Sequence, residues 1–335
     1  MQRKQKTLPE KTSKGFLNPH VKEVRRKIRD VFLWKMGYYD DLSDSRSVPQ
    51  DFVFPFLQKT FDPKQPSAVW INHSTFLLRV HGKTFLTDPI WSDRCSPFRL
   101  LGPKRRHRPA IEIEDLGQVD FVCISHNHYD HLDKKTVRRL FSLYPHITWF
   151  VPYGVKQWFV KQGITQVQEF SWWEEKRFSF DSGKDHEISI SAVPSQHFSG
   201  RSLWDFNQTL WVGWVVESRK QQSCKRFYFV GDTGYNTQDF VDIGHKWNAM
   251  DLSMIPIGSY VPRRFMAPVH IDPADAVKIH KEVGSKLSIG MHWKTFPLSD
   301  EATYRPPYDL YETLLKERID PSTFLAIEPG NEINW

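Results

Sequence analysis

Between Ser125 and Asp133 the chain reads SHNHYDHLD, so His126, His128, Asp130 and His131 form an H-x-H-x-D-H pattern. Imidazole and carboxylate together suit zinc, iron or manganese, whereas calcium favours an all-oxygen shell. Adjacent side chains such as Asp130 and His131 diverge, so one ion would have difficulty taking all four. The alternation fits two metals better, with His126 and His128 facing one and Asp130 and His131 the other. A lone histidine in a turn is ordinarily a solvated residue; this density of ligand types in one loop is not ordinary.

Three further stretches end a β run in a ligand type. ISAVPSQHF leads to His197, FYFVGDTGY to Asp232 and LSIGMHWKTF to His292. Taken singly, His197 could be a core histidine, Asp232 a turn residue between glycines and His292 a strand-end residue. Taken with the first loop they make seven candidate ligands at four strand ends, a grouping chance explains poorly. Asp88 and Asp133 are candidates to orient ligand histidines. Their bland alternatives are a strand end for Asp88 and a helix N-cap for Asp133.

The flanking sequence supplies rigid supports. VDFVCIS before the loop is apolar and β-branched, a buried strand, and DKKTVRRLFSLY after it has Val137, Leu140 and Phe141 at helical spacing. SAVWINHS, TFLLRVHGK and TFLTDPIW predict a strand meander with a turn at His81-Gly82-Lys83. A long irregular connection, WSDRCSPFRLLGPKRRHRPAIEIEDL, comes next. Beyond the loop, strands are predicted in ITWFVP, HEISISAVPSQH, LWVGWVVES, RFYFVGDTG, MDLSMIPIG, KLSIGMHW and TFLAIEPG. Helices are predicted in YGVKQWFVKQG, NTQDFVDIGHKW, DPADAVKIHKEVG and YDLYETLLKERI. Residues 1–65 read as a basic, partly helical arm and residues 66–335 as the catalytic domain. The arm holds a basic amphipathic stretch from Lys22 to Lys35 and a Pro- and Phe-rich segment, SVPQDFVFPFLQKTFDPKQP.

At 335 residues, 39% hydrophobic and 25% charged, the chain is ordinary for a globular protein and long enough for a large core. No apolar run has the length of a membrane span, and the polar N-terminus lacks the core of a secretory signal, which predicts a cytoplasmic protein. Cys95, Cys123 and Cys224 are too few and too scattered for a disulfide framework or a CxxC zinc clip. The net charge of +7 is concentrated in KEVRRKIRD, GPKRRHRP and Arg263-Arg264, clusters that could meet phosphate groups.

With these residues in view, the sequence resembles the metallo-β-lactamase superfamily. More narrowly, it is similar to the branch containing N-acyl-phosphatidylethanolamine-hydrolysing phospholipase D. The resemblance rests on INHSTFLLRVHGKTFLTDPIWSDRCSPFRLLGPKR, SHNHYDHLD, PSQHFSGR, FVGDTGY, HIDPADAV and GMHWKTF. It implies an α+β fold, a four-layer αββα sandwich with a binuclear zinc site at the sheet edges. Carried over by position, His126, His128 and His197 would hold one zinc, Asp130, His131 and His292 the other, and Asp232 would bridge them. His270 matches a position near the substrate head group, although Asp272-Pro273-Ala274-Asp275 departs from the Asn-Pro and Glu often found after it.

Two such metals could share and acidify a water and clamp a phosphoryl oxygen, so the expected catalytic residues are Asp232, Asp130 and His270. The implied partners are a phospholipid substrate and an anionic membrane surface met reversibly, with no nucleic acid and a homodimer left open. Apolar wedges for that surface are expected from the Phe- and Pro-rich arm and from FSWWEEKRF. A nuclease or a lactonase of the same fold is the alternative, because the ligand set does not choose between ester and phosphodiester.

Overall fold

The computed structural model describes residues 6–21, 29, 33, 34, 36, 48–55, 61–98, 100–179, 186–202 and 204–335. The basic stretch from Lys22 to Lys35 lies almost wholly outside them.

A hairpin of β1 (Lys11–Thr12) and β2 (Gly15–Phe16) precedes the first half of the sandwich. That half contains β3 (Ser67–Asn72), β4 (Thr75–Val80), β5 (Lys83–Thr87), β6 (Phe121–Cys123), α1 (Lys134–Leu143), β7 (Thr148–Pro152), α2 (Lys156–Val160) and β8 (Val167–Phe170). The second half contains β9 (Glu175–Phe178), β10 (His186–Val193), β11 (Gly213–Lys220), β12 (Ser223–Phe229), α3 (Asp239–Trp247) and β13 (Leu252–Pro256). It continues through α4 (Arg263–Met266), α5 (Pro273–Glu282), β14 (Ser288–Met291), α6 (Arg305–Lys316) and β15 (Phe324–Leu325). Strand β16 (Glu332–Asn334) then returns to the first sheet. The sheets have seven strands each, ordered β16-β3-β4-β5-β6-β7-β8 and β15-β14-β13-β12-β11-β10-β9.

Side-chain alternation separates the layers. Trp70, Phe76, Leu78, Phe85 and Phe121 point inward and share one core with Trp214, Phe227 and Phe229 of the other sheet. Their neighbours Val69, Ile71, Leu77, Leu86 and Val122 point outward, against Val137 and Leu140 of α1 and Phe159 of α2. The first sheet is buried on both faces, so its strands read as continuous apolar runs. On the far side α5 packs on β13 and against α3 and α6. Val277 and Ile279 of α5 and Leu310 of α6 join the core there. Helix, sheet, sheet and helix make the four-layer α+β sandwich.

Strand direction places the functional rim. β3, β5 and β6 run the same way, because β3–β4 and β4–β5 are antiparallel and β5–β6 is parallel. In the second sheet β10, β12, β13 and β14 likewise share a direction. Every candidate ligand lies just past the C-terminal end of one of these strands, whereas His270 lies between α4 and α5.

Caps fix helices where the sequence marks them. The Asp133 side chain accepts from Lys135 and Thr136 at the start of α1, and Asp272 accepts from Asp275 at the start of α5, with Pro273 at its first position. The last helix begins earlier than its apolar pattern suggests, at Arg305, because Pro306 and Pro307 are tolerated in the first turn. Three short edge strands, β8, β9 and β16, carry too few apolar residues to announce themselves.

Part of the N-terminal arm lies against the sandwich. Phe16 is buried, and its backbone exchanges hydrogen bonds with Asn207, N–H to carbonyl at 2.8 Å and the Asn207 amide to the Phe16 carbonyl at 2.9 Å. The Trp173 indole donates to the Thr7 carbonyl at 2.6 Å. The Trp-rich segment is therefore not an exposed wedge: Trp172 is buried and donates to the Trp211 carbonyl at 2.7 Å. Phe52 and Phe54 also turn inward, stacking edge-on against Tyr308 and Tyr311. Tryptophan in a sandwich core satisfies its N–H on a backbone carbonyl while burying a large apolar area, and that outweighs exposure. Among the described residues no helix is long and apolar enough to cross a membrane.

Candidate metal centre

The loop after β6 brings His126 and His131 inward and leaves His128 and Asp130 half-buried toward the opening. Loops after β10, β12 and β14 add His197, Asp232 and His292, all buried. Overlapping groups of candidate ligand atoms result, two of which hold six of the seven predicted ligands. The ligand atoms of His126, His128 and His197 lie within 4.8 Å of one another, and so do those of His73, Asp130, His131 and His292. His126 Nε2 is 2.8 Å and His197 Nε2 3.2 Å from His128 Nδ1. Asp232 Oδ2 reaches both clusters, at 3.2 Å from His131 Nε2, 3.1 Å from His292 Nε2 and 3.8 Å from His197 Nε2. Asp130 Oδ2 is 3.3 Å from His131 and 3.4 Å from His292.

Close approach of the two rims depends on Gly231, at φ +68°, where a Cβ would sit 2.9 Å from the Ser125 Cβ. Asp88 comes directly after β5 and is buried. It accepts from the Ser125 N–H at 2.7 Å and holds His131 Nδ1 at 2.6 Å, leaving His131 Nε2 for the centre. His197 is oriented by the Val269 carbonyl, 2.9 Å from its Nδ1. Arg201 ties the two ligand loops together, donating at 2.7 Å to the carbonyls of both Asn127 and Leu132. Asn18 of the arm donates to the His197 carbonyl. Asp133 does not face the centre; it caps α1 and also accepts from the Thr136 hydroxyl at 2.6 Å.

His73 is the residue that sequence reasoning missed. It sits at φ +46° in the β3–β4 turn, its Nε2 3.1 Å from Asp130 Oδ2 and its ring 4.1 Å from that of His292. The signal was present, since SAVWINH ends a β run in a histidine just as the stretches at His197 and His292 do. His270, between α4 and α5, stands at the opening with Nδ1 3.9 Å from Asp232 Oδ2.

The electrostatics suit cations. Burial pushes His128 and His270 down to about 4 and His126 and His197 well below their ordinary range, so these imidazoles are neutral and free to bind metal. Burial opposes charge on His292 too, but Asp232 and Asp130 outweigh it and hold it at about 9; His131 is raised for the same reason. Burial likewise works against Asp130 and Asp232, and the neighbouring His131 and His292 keep both ionised. Buried Asp232 and half-buried Asp130 thus both demand positive charge. His131 Nε2, His292 Nε2, Asp232 Oδ1 and His270 Nδ1 have no hydrogen-bond partner, the pattern expected of atoms shaped to ligate an ion.

Two expectations arise here. Without metal, the neutral histidines contribute stability that is present above 6.5 and lost as pH falls toward about 4. The contribution of His292 is present below 6.5 and lost as pH rises through about 9. The melting temperature of chelator-treated protein should therefore peak near neutrality, and a flat profile on the acid side would contradict the assignment. Separately, His73→Gln should weaken metal binding by roughly 10–100-fold while leaving the metal-free protein folded, because the His73 ring packs on His292 and its Nε2 lies 3.1 Å from Asp130 Oδ2. Isothermal titration with zinc measures the first and calorimetric scanning the second.

Residues 83–293 match the model of the beta-lactamase superfamily domain. The chain is 42% identical over 270 residues to N-acyl-phosphatidylethanolamine-hydrolyzing phospholipase D 1 of Caenorhabditis elegans, covering 78% of this chain and 74% of that protein. It is 36% identical over 284 residues to an uncharacterised protein of Mycobacterium tuberculosis, covering 80% of this chain and 72% of that one. The crystal structure of isothiocyanate hydrolase from Delia radicum gut bacteria superposes with a TM-score of 0.59 at 18% identity. It covers 80% of this chain and 99% of that one, a likeness of fold alone.

A four-layer sandwich with clustered histidines and aspartates at its rim, and a family match across most of it, define a metal-dependent hydrolase. The chain belongs to the metallo-β-lactamase superfamily and, within it, to the branch of N-acyl-phosphatidylethanolamine-hydrolysing phospholipase D.

Proposed function

We propose that the protein is a binuclear zinc phosphodiesterase of the phospholipase D type. Its substrate would be N-acyl-phosphatidylethanolamine or a closely related phospholipid, cleaved to N-acylethanolamine and phosphatidic acid. The observation that carries this is Asp232, a buried carboxylate within reach of His131 and His292 on one side and His197 on the other. The similarity to a protein named for that hydrolysis supports the substrate class.

His126, His128 and His197 would hold one zinc, Asp130, His131 and His292 the second, and Asp232 both. Zinc bound there supplies an acidified water and polarises a phosphoryl oxygen. Imidazole and carboxylate donors also accept iron or manganese; neither Cys95 nor Cys123, both buried, belongs to a ligand cluster. The chain's own residues then do the rest. Asp130 and Asp232 fix the charge of the centre. His270 at the opening would hydrogen-bond the phosphoryl or leaving oxygen, with its Nδ1 lacking a partner in the protein. In the balanced reaction a water oxygen joins phosphorus, the bond from phosphorus to the ethanolamine oxygen breaks, and a proton goes to that oxygen.

The same reading makes residues 66–335 the catalytic domain with residues 1–65 as its arm. It makes the protein cytoplasmic and peripherally membrane-associated, with no nucleic-acid partner; a homodimer is compatible with it. The test is a substrate panel with zinc-loaded protein: N-acyl-phosphatidylethanolamine, plain phosphatidylethanolamine, bis-nitrophenyl phosphate, a lactone and RNA. Preferred release of N-acylethanolamine is expected, and turnover of the lactone or RNA alone would overturn the proposal.

A further inference from the structure

The irregular connection after β5 contains a hairpin beside the metal loop. Its stem is an antiparallel bridge between Arg94 and Lys104, reinforced by the Cys95 N–H donating to the Pro103 carbonyl at 3.3 Å and by the Arg94 guanidinium on the Gly102 carbonyl. Below the stem, Cys95 packs with Ile90 and Phe296 in a small core of its own. Arg105 is buried and donates to the carbonyls of Ser92 and Ile90, at 3.0 and 3.1 Å. Gly102, at φ +95°, closes the loop against Ser96, where any Cβ would collide.

Among the described residues of the tip, three are apolar and exposed. Phe98, Leu100 and Leu101 are 62%, 80% and 65% exposed. Single exposed apolar residues are ordinary, but three within four positions on a fixed stem are not. Between the tip and the start of α1 lies an open cleft of about 910 Å³, lined by Arg94, Lys104, Lys134, Lys135 and Arg201, with Asp93 and Asp133 as its carboxylates. Its inner wall includes Tyr129, the residue between His128 and Asp130. The Tyr129 ring lies 3.9 Å from the Arg201 guanidinium.

We infer that this hairpin tip is the surface by which the protein docks on a phospholipid bilayer, inserting Phe98, Leu100 and Leu101 while the flanking cations meet anionic head groups. The inference rests on the phospholipid reading above and adds the place of contact. Apolar side chains ringed by Lys and Arg are the combination an anionic bilayer selects. A protein partner would instead meet this cleft's cations with fixed acidic groups. The position also brings the cleft, and with it the metal loop, to face the lipid rather than bulk water.

The test is co-sedimentation of the full-length chain with vesicles of phosphatidylcholine alone and of phosphatidylcholine mixed with phosphatidylserine. It compares wild type, the double variant Leu100→Glu/Leu101→Glu and the control Leu315→Glu, whose exposed side chain lies on α6. The anionic vesicles should retain wild type and the control, with salt weakening retention, and affinity of the double variant should fall by at least roughly tenfold at unchanged melting temperature. Equal binding by the double variant and wild type would overturn the docking surface and leave the phospholipid reading standing, as would a wild type that cleaves phospholipid in mixed micelles but binds no vesicle. Loss of a dimer in the double variant, with no vesicle binding by either protein, would make the tip a contact between copies and overturn the bilayer assignment. If wild type binds vesicles through the tip yet cleaves no phospholipid in any form, the surface stands and the proposed reaction falls.

Discussion

Replacing Asp232 by Asn should lower hydrolysis by about 10³-fold or more while leaving the protein folded. The side chain sits where the two ligand clusters meet, 3.1 Å from His292 and 3.2 Å from His131 on one side and 3.8 Å from His197 on the other. A carboxylate has two equivalent oxygens and a negative charge; the amide keeps the volume, loses the charge and turns one acceptor into a donor. Its Oδ1 is buried without a partner, and its Oδ2 faces His131 and His292 at the sheet rim rather than the apolar core, so the fold should survive the change. It also lies beyond the end of β12, where Asn can be accommodated. The expected outcome is a folded protein that binds less metal and turns over almost no phosphodiester. Activity within tenfold of wild type would remove Asp232 from the site.

Asp88→Ala should do two kinds of damage. Asp88 is fully buried and serves the Ser125 N–H, the Ser125 hydroxyl and His131 Nδ1 together. Alanine strands these groups away from water, a loss on the order of 3 kcal/mol. It also frees the His131 ring, which should weaken metal binding by roughly 10–100-fold. Asp88→Asn separates the two effects: its oxygen still accepts from the Ser125 N–H, so most of the stability should return, while the loss of charge beside His131 remains. Thermal melting and zinc titration on both variants check this. If Asp88→Ala binds zinc as tightly as wild type, the orienting role is wrong.

The candidate metal loop was legible because its chemistry is local: four candidate ligands, three histidines and an aspartate, fall within one loop after an apolar strand, and an N-cap at Asp133 marks the start of the next helix. Asp232, His197 and His292 were legible by repetition, each ending a β run. His73 obeys the same rule and went unread because it belongs to a tight turn between two strands rather than to a longer loop, and only the fold brings that turn to Asp130. The edge strands were hidden for a different reason. β9 alternates exposed and half-buried residues along Glu175–Phe178, leaving no apolar period to find. Burial of particular tryptophans is likewise a property of the packed sandwich: Trp172 and Trp211 sit near each other with ring centroids 6.2 Å apart, which spacing along the chain cannot show. Exposure of the hairpin tip at Leu100 and Leu101 inverts the usual inference from apolar residues, so composition alone pointed instead to the arm and the Trp-rich segment.

The central claim is that two metal ions, held by two clusters joined through Asp232, make the reactive site. Metal content and hydrolysis measured side by side, as chelated protein is reloaded with zinc in steps, test it most directly. Activity should remain low through the first equivalent and rise with the second, reaching its maximum at about two ions per chain; full activity at one equivalent, or hydrolysis that survives chelation, would contradict it.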